Sequence, residues 1–254
     1  MNKLAATGRW FFAIAIGGFG IQQLIYKGFV PGVTIVPDWT RAHTFWAYAT
    51  GALLVVCAIS IVLREKAQLA SLVTGMLFLI IVLILHLPRI SAIIHANSAE
   101  RTRAFETLAL CGGALILAGA MQEARLGSSL SAKITATAAE SGRLLFAFSL
   151  VVFGIDHIPA ARFVATLVPA WIPWHLFWAY FTAAGFIAAG LSIAAGIEVR
   201  LSASLLGLMF FLWVVLLHSP RVAAHLHNEG EWNSLFVALA MSGAAFVLAG
   251  KPSK

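Results

Sequence analysis

The stretch His43–His95 returns as His175–His227, shifted by 132 residues without a gap and identical at 19 of 53 positions. The shared residues include F-W-A-Y (Phe45–Tyr48 and Phe177–Tyr180), H-x-P-R (His86, Pro88, Arg89 and His218, Pro220, Arg221) and the closing pair His95 and His227. Upstream, Gly8-Arg9 and Phe19-Gly20-Ile21 recur as Gly142-Arg143 and Phe153-Gly154-Ile155 at a shift of 134, so the loop after the first segment is two residues shorter in the second copy. A repeat of this length constrains the architecture before any element is assigned. It also marks, through its shared polar residues, where function is to be sought.

The solvent for this chain is lipid. Hydrophobic residues make up 61% of the chain and charged residues 11%, with a mean hydropathy of +0.91. So few charges do not cover a water-exposed domain. The net charge of +7 is scattered singly among apolar runs, which lack the basic stripe and interleaved aromatics of a nucleic-acid interface. Cys57 and Cys111 sit mid-way along apolar segments with no CxxC partner, and read as small core residues. The first apolar run has no Ala-x-Ala cleavage site and is expected to be an uncleaved helix. There is no P-loop, dinucleotide fingerprint, HExxH or CxxCH, and Gly17-Gly18-x-Gly20 lies inside an apolar helix, where it reads as packing.

Eight apolar stretches approach the length needed to cross about 30 Å of hydrocarbon: 8–28, 43–63, 68–87, 104–121, 142–158, 175–196, 200–218 and 233–250. The expected fold is therefore all-α and membrane-integral. Residues 1–121 form the first four-helix unit, 122–141 a polar cytoplasmic linker and 142–254 the second unit. The fourth and fifth stretches are short, which implies ends at the interface or local thinning of the bilayer. Four crossings per unit bring both units in from the same side. They are then parallel repeats about a pseudo-two-fold along the membrane normal.

Ten of the seventeen Lys and Arg residues fall on the side of the termini, which places both termini in the cytoplasm of a bacterial inner membrane. All eight histidines (43, 86, 95, 157, 175, 218, 225 and 227) and seven of the eight prolines fall on the other, outer side.

Each constellation on that outer side has a structural and a chemical reading. In H-x-P-R, proline stops a helix while His and Arg complement its C-terminus and the lipid phosphates. Alternatively His86 and His218 ligate haem iron, or a copper ion with other ligands, if their helices meet at the axis. Arg89 and Arg221 would then bind propionates, a quinone carbonyl or an oxyanion. Trp46 and Trp178, one turn after His43 and His175, belong to an interfacial aromatic belt or, with Tyr48 and Tyr180, to a wall over a flat ring. Asp156-His157 replaces Gln22-Gln23 in the second copy. A carboxylate there needs a purpose or a partner, for which His157, Arg162 and Arg221 are the candidates. His225-x-His227 with Glu229 and Glu231 offers copper or zinc ligands beside His157 and Asp156. Glu106, with no acidic counterpart, is expected to favour a helix N-terminus.

G-R-x-x-F, F-G near the outer end of the first helix, F-W-A-Y-x-T and L-H-x-P-R together resemble the DoxX-like family of membrane proteins. The resemblance covers both halves, about 110 residues each, so the chain looks like two fused DoxX-like units. It implies association with membrane redox chemistry and with a membrane or periplasmic protein partner. The expected function is a membrane subunit of a quinone- or haem-linked redox system with its polar site on the outer face. The alternatives are copper or zinc handling there, and a non-catalytic subunit that docks a partner.

Overall fold

The computed structural model describes residues 2–29, 43–89, 98–121 and 129–250. These residues are all helix and turn. We number the helices α1 (Lys3–Tyr26), α2 (His43–Leu63), α3 (Ala67–Ile81), α4 (Ser98–Ala120), α5 (Ser129–His157), α6 (Ala161–Leu167), α7 (His175–Ala195), α8 (Val199–Trp213), α9 (Ser219–Ala224) and α10 (Glu229–Ala249). Eight helical stretches among them are long and apolar enough to cross a membrane. Large apolar side chains cover the outside: Val56, Ile59 and Leu63 on α2, and Leu201, Leu205 and Leu208 on α8, are all exposed. A water-facing surface does not tolerate such stripes, whereas a bilayer favours them.

Two expectations about length are corrected. The fourth stretch begins at Ser98 and the fifth at Ser129, so neither is short and no thinning of the bilayer is required. The stretch expected as a linker, 122–141, is helical from Ser129 onward, and residues 122–128 lie outside the described residues. The reason is local: residues 129–141 contain neither Pro nor Gly and are rich in Ala, Ser and Thr. Docked against α3, such a sequence continues the helix. Buried Gln68 of α3 donates its Nε2 to Thr135 Oγ1 of α5 at 2.6 Å.

Packing follows the repeat. Within each half the first helix lies on the second and the third on the fourth (α1 on α2, α3 on α4; α5 on α7, α8 on α10). Between halves, the fourth helix of one lies along the first helix of the other: α4 along α5, and α10 along α1. α4 and α10 also touch, so these are the helices that meet between the halves.

Glycine sets both crossings. A Cβ on Gly8 would lie 2.4 Å from the Gly243 carbonyl oxygen, and one on Gly142 would lie 2.6 Å from that of Gly112. Only a glycine pair lets the backbones come so close within a membrane bundle.

Far from the histidines, Arg9 and Arg143 do the same work in the two copies. Arg9 Nη1 donates to the carbonyls of Ile61 and Val62 at the end of α2, both at 2.8 Å. Arg143 Nη1 donates to those of Ile193 and Ala194 at the end of α7. The repeated G-R is thus a helix C-cap delivered from a neighbouring helix, where carbonyls lack intrahelical donors.

Candidate functional site

The described histidines gather at one end of the bundle, where α1, α3, α5 and α8 finish and α2, α4, α7 and α10 begin. Here both copies depart from regular helix in the same way. α3 widens into a π-turn over Val82–His86, and α8 widens into one over Val214–His218. A π-turn inserts one residue into the helical ladder and re-aims the side chains beyond it. In each copy it delivers the histidine of H-x-P-R against the fourth helix of its own half.

His86 is buried, with Nε2 3.5 Å from Thr107 Oγ1 of α4. His218 lies on a turn packed against α10, and its Nδ1 is buried without a hydrogen-bond partner. Nearby, Arg221 holds Glu231 of α10 in a two-pronged ion pair, Nε to Oε2 at 2.9 Å and Nη2 to Oε1 at 2.8 Å. Asn228 caps α10 by accepting from Gly230 N at 2.9 Å and Glu231 N at 3.3 Å, which fixes the glutamate at the favourable end of the helix dipole.

His86 and His218 therefore serve separate halves, one leaning on α4 and the other on α10, rather than facing each other from the helices between the halves. The side chains of Arg89 and His43, and all of His95, lie outside the described residues.

Asp156 takes a partner other than the three candidates its sequence neighbourhood offers. Its buried carboxylate is held by Arg101 of α4 (Nε to Oδ1 at 2.7 Å, with Nη2 also on Oδ1), and Thr102 donates to Oδ2 at 3.3 Å. Arg162 and Arg221 are not among these partners, and Arg221 is engaged by Glu231. The physical reason is the crossing of halves, which lays the end of α5 beside the start of α4. The repeat aligns Gly112 with Gly243, but only their contacts with Gly142 and Gly8 show which first helix each fourth helix crosses. The same alignment turns Gln22 into the counterpart of Asp156, and Gln22 Nε2 donates to the Glu229 carbonyl of α10 at 3.1 Å.

His157 sits among aromatic rings. Its ring stacks on Trp213 (6.2 Å, 17°) and meets Phe186 edge-on (5.1 Å), with Nδ1 2.9 Å from the Phe153 carbonyl oxygen. Its counterpart Gln23 accepts from Thr50 Oγ1 at 2.8 Å and borders a small cavity of about 10 Å³ with Phe19, Leu54, Leu77, Phe78 and Ile81. That volume is close to the minimum that holds one water.

Trp46 and Trp178 are exposed, and among the described residues their ring contacts are with phenylalanines of their own helices, Phe45 for the first and Phe177 and Phe181 for the second. Trp178 Nε1 donates to the Pro173 carbonyl at 3.0 Å, and Trp171 and Trp174 are more exposed still. This placement suits an interfacial belt. His225 and His227 lie on an open turn before α10, lining a shallow groove with Asn228 and Glu229. No three His, Cys, Asp or Glu side chains among the described residues are grouped to hold a metal ion. Glu106 lies well inside α4, past the first turn, so the helix-start role expected for it does not apply. No family model matches the chain, and neither a curated protein nor a solved structure is similar to it.

Proposed function

We propose that this chain is a DoxX-like membrane subunit of a quinone-linked redox system, with its polar site at the histidine end. In this reading the halves are parallel repeats about a pseudo-two-fold along the membrane normal. Both termini are cytoplasmic in a bacterial inner membrane, and the histidine end faces outward toward a membrane or periplasmic partner. The resemblance of H-x-P-R and F-W-A-Y supplies the redox class, and the excess of Lys and Arg at the far end supplies the orientation.

The observation that carries the site is the buried Nδ1 of His218, left without a protein partner on a π-turn. Buried polar atoms are normally paired, and an orphan imidazole nitrogen is a place for a ligand to hydrogen-bond. Imidazole either donates or accepts according to tautomer, which suits both a quinone carbonyl and a quinol hydroxyl. Arg221, steadied by Glu231, places positive charge beside the oxygen that becomes negative on reduction. His86 and Arg89 are the corresponding pair of the first half.

Haem bridged between His86 and His218 fits less well. The two residues lean on different helices, and those helices are in tight contact: a Cβ on Gly113 of α4 would lie 2.8 Å from Ala244 Cβ of α10. At that contact α4 and α10 leave no room for a porphyrin between them. Copper or zinc lacks a third ligand among the described residues.

The test is an organic extract of detergent-purified protein, followed by thermal melting with a short-chain quinone. A stabilising shift in wild type that His218→Ala and Arg221→Ala both lose is expected. An extract without quinone, together with an unmoved melting curve, counts decisively against the reading.

A further inference from the structure

We propose that the turn after α2, together with Arg9 and Trp10 of α1, binds the phosphate headgroup of an anionic lipid, and that the second half lacks this site. The inference does not depend on the quinone reading and concerns the opposite end of the bundle. Arg9 and Arg143 cap α2 and α7 alike, but their surroundings differ. Arg143 is neutralised from its own helix by Glu140, with Nε donating to Oε2 at 3.0 Å and Nη2 to Oε1. The counterpart of Glu140 is Ala6, and α1 contains no acidic residue. Arg9 is buried, its guanidinium carbon lies 5.4 Å from the centroid of the Trp10 ring, and its Nε is buried without a partner. Arg64 is close enough to repel it. Two cations held together, one with an unsatisfied donor, call for an anion.

The turn itself carries an independent sign. Arg64-Glu65-Lys66 joins α2 to α3, and Gly196-Ile197-Glu198 joins α7 to α8 at the same positions of the repeat. The backbone is alike in both: the residue that closes the helix is left-handed, with φ 64° at Arg64 and 74° at Gly196. Glycine adopts this conformation without strain, whereas a residue with a Cβ does not. The second copy thus holds the residue that the backbone favours, and the first holds an arginine against that preference. Strain of this kind persists where the side chain has work to do. Lys66 stands where the second copy has Glu198, so two cations flank Glu65 in one turn while the other carries a carboxylate alone. Arg64 and Lys66 are exposed, and the ion pairs among the described residues lie elsewhere.

Position selects a lipid as the source of the phosphate. The turn links the spans Thr44–Leu63 and Ala67–His86, which sets its cations at headgroup depth. Basic residues at that depth attract anionic lipids. Trp10 is 45% exposed beside Arg9, and its counterpart in the second half is Leu144. An indole with an apolar body and a polar edge suits the boundary between headgroup and acyl chain. It offers a lipid a second point of contact that a free phosphate does not use.

The full chain in neutral detergent, titrated with phosphatidylglycerol or with phosphatidylcholine, tests this by melting and by native mass spectrometry. Wild type is expected to melt several degrees higher with phosphatidylglycerol and to retain that lipid in preference to phosphatidylcholine. Arg64→Gly combined with Lys66→Glu gives the first turn the charges of the second. It also relieves the left-handed arginine, so this variant is expected to melt no lower than wild type in phosphatidylcholine. Its affinity for phosphatidylglycerol falls about tenfold or more. Lys133→Glu combined with Arg200→Gln, which removes the same charge elsewhere at this end, keeps the wild-type affinity. An equal loss in the two double variants overturns the proposal. So does a shift that inorganic phosphate alone reproduces, since the ligand is then a soluble anion. Equal melting of wild type in the two lipids overturns it whatever the variants do.

Discussion

Phe19, Gln23, Thr50, Leu54, Leu77, Phe78 and Ile81 surround a small cavity in the first half. The same positions in the second half hold Phe153, His157, Thr182, Phe186, Met209, Phe210 and Trp213, whose rings close on one another at centroid distances of 5.1 to 6.2 Å. The seams differ as well: α5 meets α4 through a buried ion pair, whereas α1 meets α10 through neutral amides. The scaffold tolerates such divergence because the residues that set its geometry, the crossing glycines and the capping arginines, stayed the same. What the duplication released was the chemistry between those fixed points.

Substitutions that treat the halves unequally sharpen the comparison. The largest effect is expected at the charged seam, where Arg101→Ala leaves Asp156 buried without its cation and costs about 3–5 kcal/mol. Gln22→Ala, the corresponding change in the neutral seam, costs about 1 kcal/mol. Reversible unfolding in mixed detergent reads both, and equal losses would erase the distinction between the seams. Next come the crossings. Gly8→Ala and Gly142→Ala each push a methyl group into a backbone carbonyl and should each cost about 1–3 kcal/mol. A large inequality there would break the claim of a common scaffold.

In the cores, Phe186→Leu opens space in the packed half at a cost of about 1–2 kcal/mol, while Leu54→Phe enters a cavity and stays within about 1 kcal/mol of wild type. Melting curves of both variants, with the reverse order as the damaging outcome, decide this. The smallest change is Trp178→Phe. Its side chain is 38% exposed and trades one hydrogen bond, so stability should move by no more than about 0.5–1 kcal/mol.

The helices were legible because lipid demands long apolar runs, and the repeat showed that His86 and His218 are equivalent positions. The π-turns were not legible. V-L-I-L-H and V-V-L-L-H read as ordinary helix, since the extra residue is absorbed by a shift in backbone bonding that leaves no mark on composition. The partner of Asp156 was missed for a different reason. Short loops suggest that a helix packs beside its own half, and only the reciprocal contacts of Gly8 with Gly243 and Gly142 with Gly112 reveal the exchange. Arg9 and Arg143 were seen as repeated residues, but their work as caps depends on where α2 and α7 end in space.

The exchange across the two glycine crossings has a consequence for biogenesis. α1 emerges from the ribosome first among the described helices and α10 last, yet they pack along each other. Until α10 arrives, Gly8 and its neighbours on α1 face lipid or a chaperone, and α4 has to wait for α5. Assembly therefore closes only once α10 has been made. A half made alone keeps two sticky helix faces whose best available match is another copy of itself.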